Sequence, residues 1–274
     1  MGKQNIFPAT YVEFQGETTR RSAAFYLAAE EFLAREMPAD DYVFMWRLNP
    51  TCVYGRNQNP NVELDLDFCR LNGVDVVRRK SGGGTIFADE NNIMISLVTR
   101  NGSVEDIFGQ FSQTISAGLR SLGVPASVSG RNDIILDGGK KICGGAFYHL
   151  KERSIVHSTM LYDTNPLLMQ GCLTPQRAKM QSKGVKSVES RIGLLKDYLS
   201  CGVEKLQEQL RYILTDRHIV LTPETIGRIE EIEKPYHVAE YLFPSTSLLH
   251  RKALLTLSGR IEGCGSMELL IYST

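Results

Sequence analysis

From Ser22 to Met37 the apolar residues Phe25, Ala28, Ala29, Phe32 and Leu33 recur at i, i+3, i+4, i+7 and i+8, one face of an amphipathic helix. Glu31 and Arg35 lie four apart with the acid first, the order that suits an exposed pair, and Pro38 stops the helix. Tyr42 to Leu48 and Cys52 to Tyr54 are apolar runs around Asn49-Pro50-Thr51 and read as strand, turn, strand. Val62 to Leu71 reads as a short helix ended by Asn72-Gly73. Val74 to Arg79 and Ile93 to Thr99 read as strands enclosing a glycine-rich segment. The clearest helical signal spans Ser103 to Leu122. Ser103 and Asp106 form a capping box, Ile107, Phe108, Phe111, Ile115 and Leu119 make the stripe, and Gly123 supplies the exit. Asp133 to Leu136 and Lys141 to Phe147 bracket Asp137-Gly138 as a hairpin. Ile155 to Tyr162 reads as a strand, and Val203 to Arg217 and Pro223 to Ile232 as helices.

Helices alternate with strands, yet the tight Asp-Gly turn requires antiparallel pairing. The predicted class is therefore mixed α/β (α+β), with a largely antiparallel or mixed sheet flanked by helices. The weakest boundary lies between Glu231 and Pro244, dividing residues 1–240 from an extension at 241–274. There Leu254 to Leu257 and Met267 to Tyr272 read as two short strands, a stub of a second domain. The 274 residues are 42% hydrophobic and 23% charged, enough for a core without disulfides or structural metal. Lys+Arg and Asp+Glu both number 31, and this zero balance excludes a dedicated nucleic-acid binder. No stretch approaches the ~20 apolar residues of a membrane span, and Met1 to Tyr11 lacks a signal-peptide core. Cys52, Cys69, Cys143, Cys172, Cys201 and Cys264 form no C-x-x-C pair and no zinc-like spacing, as in a reduced cytoplasmic protein.

Four segments carry candidate chemistry. In Arg78-Arg79-Lys80-Ser81-Gly82-Gly83-Gly84-Thr85, three glycines let backbone N–H groups approach an anion that the preceding cations would neutralise. It is neither a Walker loop nor a Rossmann fingerprint, and a plain flexible connection beside a solvated basic patch fits the same residues. In Gly130-Arg131-Asn132-Asp133 followed by Lys140-Lys141-Ile142-Cys143-Gly144-Gly145-Ala146, a strand lysine backed by small residues can reach into a cleft. Its ammonium suits a developing phosphorane or a carboxylate nucleophile, although an exposed hairpin lysine is the plainer alternative. His157 in His157-Ser158-Thr159 suits a base, an orienting group or a satisfied structural histidine. Lys183-Gly184-Val185-Lys186-Ser187 suits a nucleotide phosphate or a bare surface loop.

The order of these segments, with Leu27-Ala28-Ala29-Glu30-Glu31, Trp46-Arg47 and Gly55-Arg56-Asn57-Gln58-Asn59-Pro60, resembles the lipoate–protein ligase A family from about residue 22 to 195. The resemblance implies the biotin/lipoate ligase catalytic fold, related to class II aminoacyl-tRNA synthetases. It implies ATP-dependent activation of lipoate to lipoyl-AMP, with Mg2+, and transfer of the lipoyl group to a lysine of lipoyl domains. Those domains belong to 2-oxoacid dehydrogenase E2 subunits and the glycine cleavage H protein. By resemblance Lys141 is catalytic, bridging the acyl carbonyl and the α-phosphate. Gln58, Arg79, Ser81, Gly82, Gly83, Gly84, Thr85 and His157 bind lipoate. Arg79, Asn132, Asp133, Lys141, Gly144, Thr159, Lys183, Gly184, Val185 and Ser187 bind ATP or the adenylate, with Asp133 the metal candidate.

Ala88 stands where the family usually has histidine, which would alter the pocket's polar edge, and Ser158 replaces a usual glycine. Full ligases usually carry a C-terminal accessory domain; if adenylation needs it, this chain would use a separate partner protein or accept only a preformed adenylate. Octanoyltransferases of the same fold use a cysteine thioester, but Cys172 in Gly171-Cys172-Leu173 lacks their Pro-Cys-Gly context. A non-catalytic lipoate-binding paralogue would not need Lys141 or Asn132-Asp133. Biotin ligase is disfavoured because its Gly-Arg-Gly-Arg signature is missing at Arg78 to Gly84.

Overall fold

The computed structural model describes residues 9–16, 19–130, 132–173 and 192–244. Its elements, in order, are β1 (Ala9–Phe14), α1 (Ala23–Glu36), β2 (Tyr42–Trp46), β3 (Thr51–Tyr54), α2 (Pro60–Glu63), α3 (Leu66–Leu71), β4 (Asp75–Arg78), β5 (Ile86–Ala88) and β6 (Asn92–Arg100). They continue with α4 (Val104–Ser121), β7 (Ala126–Ser129), β8 (Asp133–Leu136), β9 (Lys141–His149), β10 (Arg153–Leu161) and α5 (Pro166–Cys172). Last come α6 (Val203–Leu214), β11 (Thr215–Leu221), α7 (Pro223–Glu233) and α8 (Ala239–Leu242).

Strand β6 is apolar on both faces, and this decides the layering. Ile93, Ile95 and Leu97 point into a cluster with Phe111, Ile115 and Leu119 of α4 and Leu206 and Leu210 of α6. Met94 and Val98 point the other way, into a cluster with Phe25, Phe32 and Leu33 of α1 and Ile226 and Ile229 of α7. Alternation at period two thus places one sheet between two helical layers. That sheet has eight strands in the order β11-β1-β2-β6-β10-β9-β8-β7. Strand β1 pairs in parallel with both neighbours, whereas the pairings from β2 to β7 are antiparallel. A three-stranded sheet, β4-β3-β5, packs with α3 and α5 around a smaller third cluster. The mixed, largely antiparallel α/β reading holds. No described helix is long and apolar enough to cross a membrane.

Several elements depart from the sequence pattern, each where a long-range pairing or a cap overrides periodicity. Val203 to Arg217 is not one helix. It ends at Leu214, and Thr215 starts β11 by pairing with Ala9 of β1, a partner about two hundred residues away. Val62 to Leu71 splits into α2 and α3 because Asp65 accepts the Phe68 N–H at 2.8 Å and caps a new helix, with Leu64 extended before it. β2 and β3 flank a turn yet belong to different sheets. The short strands β1, β5 and β7 and helix α5 had no readable pattern. The expected strands at Leu254 to Leu257 and Met267 to Tyr272 lie outside the described residues. The boundary drawn at 240 falls inside α8, beside Tyr241, whose hydroxyl donates to the Arg78 carbonyl at 3.1 Å.

The capping box of α4 forms as read: Ser103 Oγ accepts the Asp106 N–H at 3.0 Å, and Gly123 leaves the helix at φ +88°. Ser103→Ala should lower unfolding stability by about 1 kcal/mol, read as a shifted urea midpoint at unchanged slope.

Candidate active site

Two adjacent carboxylates of α1, Glu30 and Glu31, are 2% and 3% exposed. Glu31 is therefore no member of an exposed pair. Arg35 does bond it at 3.1 Å through Oε2, but Lys80 at 2.5 Å and the Tyr236 hydroxyl both donate to its Oε1. Glu30 faces the sheet. Its carboxylate lies 3.0 Å from His157 Nδ1 and accepts the Ser96 hydroxyl at 2.6 Å; Ser96 in turn accepts Trp46 Nε1–H at 2.9 Å. The other imidazole nitrogen, Nε2, lies 2.7 Å from the Ser81 hydroxyl. Facing the Glu30 carboxylate, Nδ1 carries a proton and donates it. Lys80 and Ser81, the residues that open the glycine loop, are thus each tied to one of two neighbouring acids.

The cations before the loop are not a free anion patch, contrary to expectation, because each already has protein partners. Arg78 donates to the carbonyls of Tyr241 and Arg56 and stacks on Tyr241. Lys80 holds Glu31 and lies 4.7 Å from the centre of the Tyr236 ring. Arg79, 4% exposed, donates to the carbonyls of Val53, Gly82 and Gly84 at 2.6–3.1 Å. It moulds the loop from inside. Burial pulls its guanidinium down to about 10, against the pull of Glu30. Gln58 is similar in kind, its amide oxygen accepting from Gly55 N–H at 3.0 Å and the Thr85 hydroxyl at 2.8 Å. Gly83 takes φ +90°, and a Cβ on Gly55 would lie 2.3 Å from the Gly83 carbonyl, so β3 can end against the loop only as glycine.

Across the sheet, β8 and β9 form the expected hairpin, with one irregularity. Asp133 pairs with Gly144 and Ile134 with Cys143, but Ile135 pairs with Lys141, leaving Ile142 as a bulge. In a regular strand Lys141 and Gly144, three apart, would face opposite sides. The extra residue brings them to the same side. Lys141 therefore lies over Gly144, where a Cβ would come within 2.4 Å of its Cε and Nζ. Its ammonium meets Asp133 Oδ1 at 2.7 Å with the lysine side chain 44% exposed. Asn132 donates to the Gly145 carbonyl. The chain returns past Lys141 at Ile192, and Gly193 N–H donates to the Lys141 carbonyl at 2.8 Å.

Loop and hairpin face one cavity of about 360 Å³. Of the residues expected at the site, Arg79, Gly83, Gly84, Thr85, Asn132, Lys141, Gly144, His157 and Thr159 line it. Gln58, Ser81, Gly82 and Asp133 stand behind those. Lys183, Gly184, Val185 and Ser187, with Arg131, lie outside the described residues. The sequence reading gave no role to the apolar part of the wall, Leu27, Trp46, Val53, Met94, Leu161 and Met169. Leu27 and Trp46 belong to segments that carry the family resemblance, whereas the others read as ordinary core. Ala88 is fully buried in the core and does not line the cavity, so the missing histidine leaves no gap in the wall. Its neighbour Asp89 accepts from Asn165 N–H at 2.8 Å and Thr164 Oγ at 3.2 Å, fixing the start of α5 and with it Met169. Ser158 is buried. Cys143 lines the cavity, but burial pushes its thiol up to about 11, away from the thiolate a nucleophile needs.

Residues 22–214 match the lipoyl protein ligase A/B catalytic domain. Lipoate–protein ligase 1 of Staphylococcus aureus is 35% identical over 190 residues, 69% of this chain and 57% of that relative. The chain thus aligns with little more than half the length of that protein. A Thermoplasma acidophilum structure, described as a bi-partite lipoate protein ligase and its E2 lipoyl domain, superposes at TM-score 0.76 and 22% identity, covering 86% of this chain and 96% of that one. A lipoate–protein ligase A bound with ATP superposes at 0.72 and 21%, covering 86% and 98%. Both share the fold.

Glu30→Ala should leave His157 Nδ1 and the Ser96 hydroxyl without their shared carboxylate and cost about 1–3 kcal/mol, measured by denaturant unfolding. Gly55→Ala should cost a similar 1–3 kcal/mol through overpacking against Gly83. Unchanged stability in both would mean that the loop is not held from β3 and α1.

Proposed function

Because the chain belongs to the lipoyl protein ligase A/B catalytic-domain family, we propose that it is an ATP-dependent lipoate–protein ligase. The observation that carries this is one cavity whose wall combines apolar side chains with Lys141 and the glycine loop. Such a cavity matches a substrate with a fatty chain and one carboxylate. The acyl chain lies along Leu27, Trp46, Val53 and Met94, and the carboxylate points toward Lys141.

In the first half-reaction a carboxylate oxygen attacks the α-phosphorus of ATP, a new O–P bond forms, and pyrophosphate leaves. The Lys141 ammonium holds the carboxylate against the α-phosphate and balances the charge that builds there. Gly83 and Gly84 bring backbone close to the acyl phosphate, and the Arg79 contacts keep that backbone in shape. In the second, a lysine amine of a lipoyl domain attacks the acyl carbon and AMP departs. No side-chain nucleophile is required, consistent with the suppressed thiolate of Cys143. Mg2+ would suit the oxygen donor of Asp133, whose side chain is 35% exposed beside Lys141, and would neutralise phosphate oxygens when bound.

The ATP-bound structural neighbour supports the nucleotide, and the neighbour described with an E2 lipoyl domain supports lipoyl domains as acceptors. E2 subunits and the glycine cleavage H protein are the proposed acceptors. The bi-partite description of that neighbour supports a separate accessory-domain protein as a further partner.

Lys141→Met should lower lipoate-dependent ATP–pyrophosphate exchange by ~10²-fold or more, and Lys141→Arg should not restore it. Gly144→Ala should lower the same rate by ~10-fold by displacing the amine while the chain stays folded. Exchange within ~3-fold of the unaltered chain in Lys141→Met would overturn the assignment. Cys143→Ser and Cys172→Ser should each retain lipoylation, scored by mass spectrometry of a lipoyl domain; loss in either would favour a thioester route.

A further inference from the structure

Three cysteines far apart in the chain meet behind the cavity wall. Cys52 comes from β3, Cys69 from α3 and Cys172 from the end of α5, and their Sγ atoms all lie within 4.8 Å of one another. Their exposures are 0%, 1% and 0%, and all three are free thiols. Tyr54, Leu64, Val74, Phe87 and Met169 surround them. Among the described residues no other group of three His, Cys, Asp or Glu side chains comes together in this way.

Around a metal with M–S bonds of about 2.3 Å, trigonal or tetrahedral sulfurs stand roughly 3.8–4.0 Å apart. Thiols within 4.8 Å close onto one ion with side-chain movements below about 1 Å. A sulfur-only donor set selects a soft ion. Burial then selects its charge. Three thiolates leave one negative charge around a divalent ion but two around a monovalent one, and the apolar shell penalises the second. We propose that Cys52, Cys69 and Cys172 form a binding site for a single thiophilic divalent d10 ion, zinc or its heavier congener cadmium. An ion here cross-links β3, α3 and α5. Met169 belongs both to this shell and to the cavity wall, and the Cys172 carbonyl accepts the Asp65 N–H at 2.9 Å. Occupancy therefore fixes that side of the cavity.

The test uses the full chain, reduced and freed of metal by a chelator, then titrated anaerobically with Cd(II). Ultraviolet sulfur-to-cadmium charge transfer and native mass spectrometry report uptake, and thermal unfolding reports stabilisation. One equivalent should bind, with a raised unfolding midpoint. Cys69→Ser should weaken binding at least ~10-fold and abolish the stabilisation. Cys143→Ser/Cys201→Ser/Cys264→Ser should bind as the unaltered chain does. Uptake below one equivalent, or a Cys69→Ser titration matching the unaltered chain, overturns the site. Should Cys69→Ser lose its fold by circular dichroism, Cys172→Ser carries the same readouts and the same two outcomes.

Discussion

The arrangement depends on one constraint: two neighbouring carboxylates of α1 are buried and must both be satisfied. A buried carboxylate without partners costs several kcal/mol, so Glu30 and Glu31 dictate what can surround them. Glu30 needs the imidazole of β10 and the hydroxyl of β6, which fixes how the helix sits on the sheet. Glu31 needs Lys80 and Tyr236, which draws the loop and the segment after α7 onto the same helix. Helix, sheet, loop and C-terminal segment are therefore set together. A change in any one of them unsettles an acid.

This explains why so rich a cluster of cations offers little charge to a ligand. Arg78, Arg79 and Lys80 are consumed by carbonyls, rings and one carboxylate of the chain itself. Among the described residues, the cavity-lining cation not held by backbone carbonyls is the half-exposed ammonium of Lys141. Under the proposed activity this division is useful. A guanidinium fixed in place keeps three glycines in one conformation, and a lysine shared with Asp133 can exchange that partner for a substrate anion. Shape and charge come from different residues.

The readable part of the molecule was its local part. Apolar stripes gave α1 and α4, and Asp137-Gly138 gave the β8–β9 hairpin, because each depends on contacts within a few residues. The sequence also singled out Lys141, Gly144, His157 and the glycine loop, through motif order and resemblance. What it hid was set by distant partners. Strand β11 exists because β1 pairs with it, and Thr215-Asp216-Arg217 alone look like the frayed end of a helix. Glu31 looked exposed because its partners Lys80 and Tyr236 are 49 and 205 residues away. The three thiols showed no spacing, since β3, α3 and α5 meet only in the folded chain.

The bulge at Ile142 has a wider meaning. Which side of a β-ribbon a residue serves is a matter of odd or even count, so the facing of the Lys141 amine is stored in a number of residues and not in any side chain. Two hairpins with the same lysine, glycines and aspartate can then present that lysine to opposite sides of the sheet. An alignment that slides one gap through this stretch would score them as equivalent. Grafting or redesigning the hairpin accordingly means conserving its length between Asp133 and Gly144 before conserving its letters.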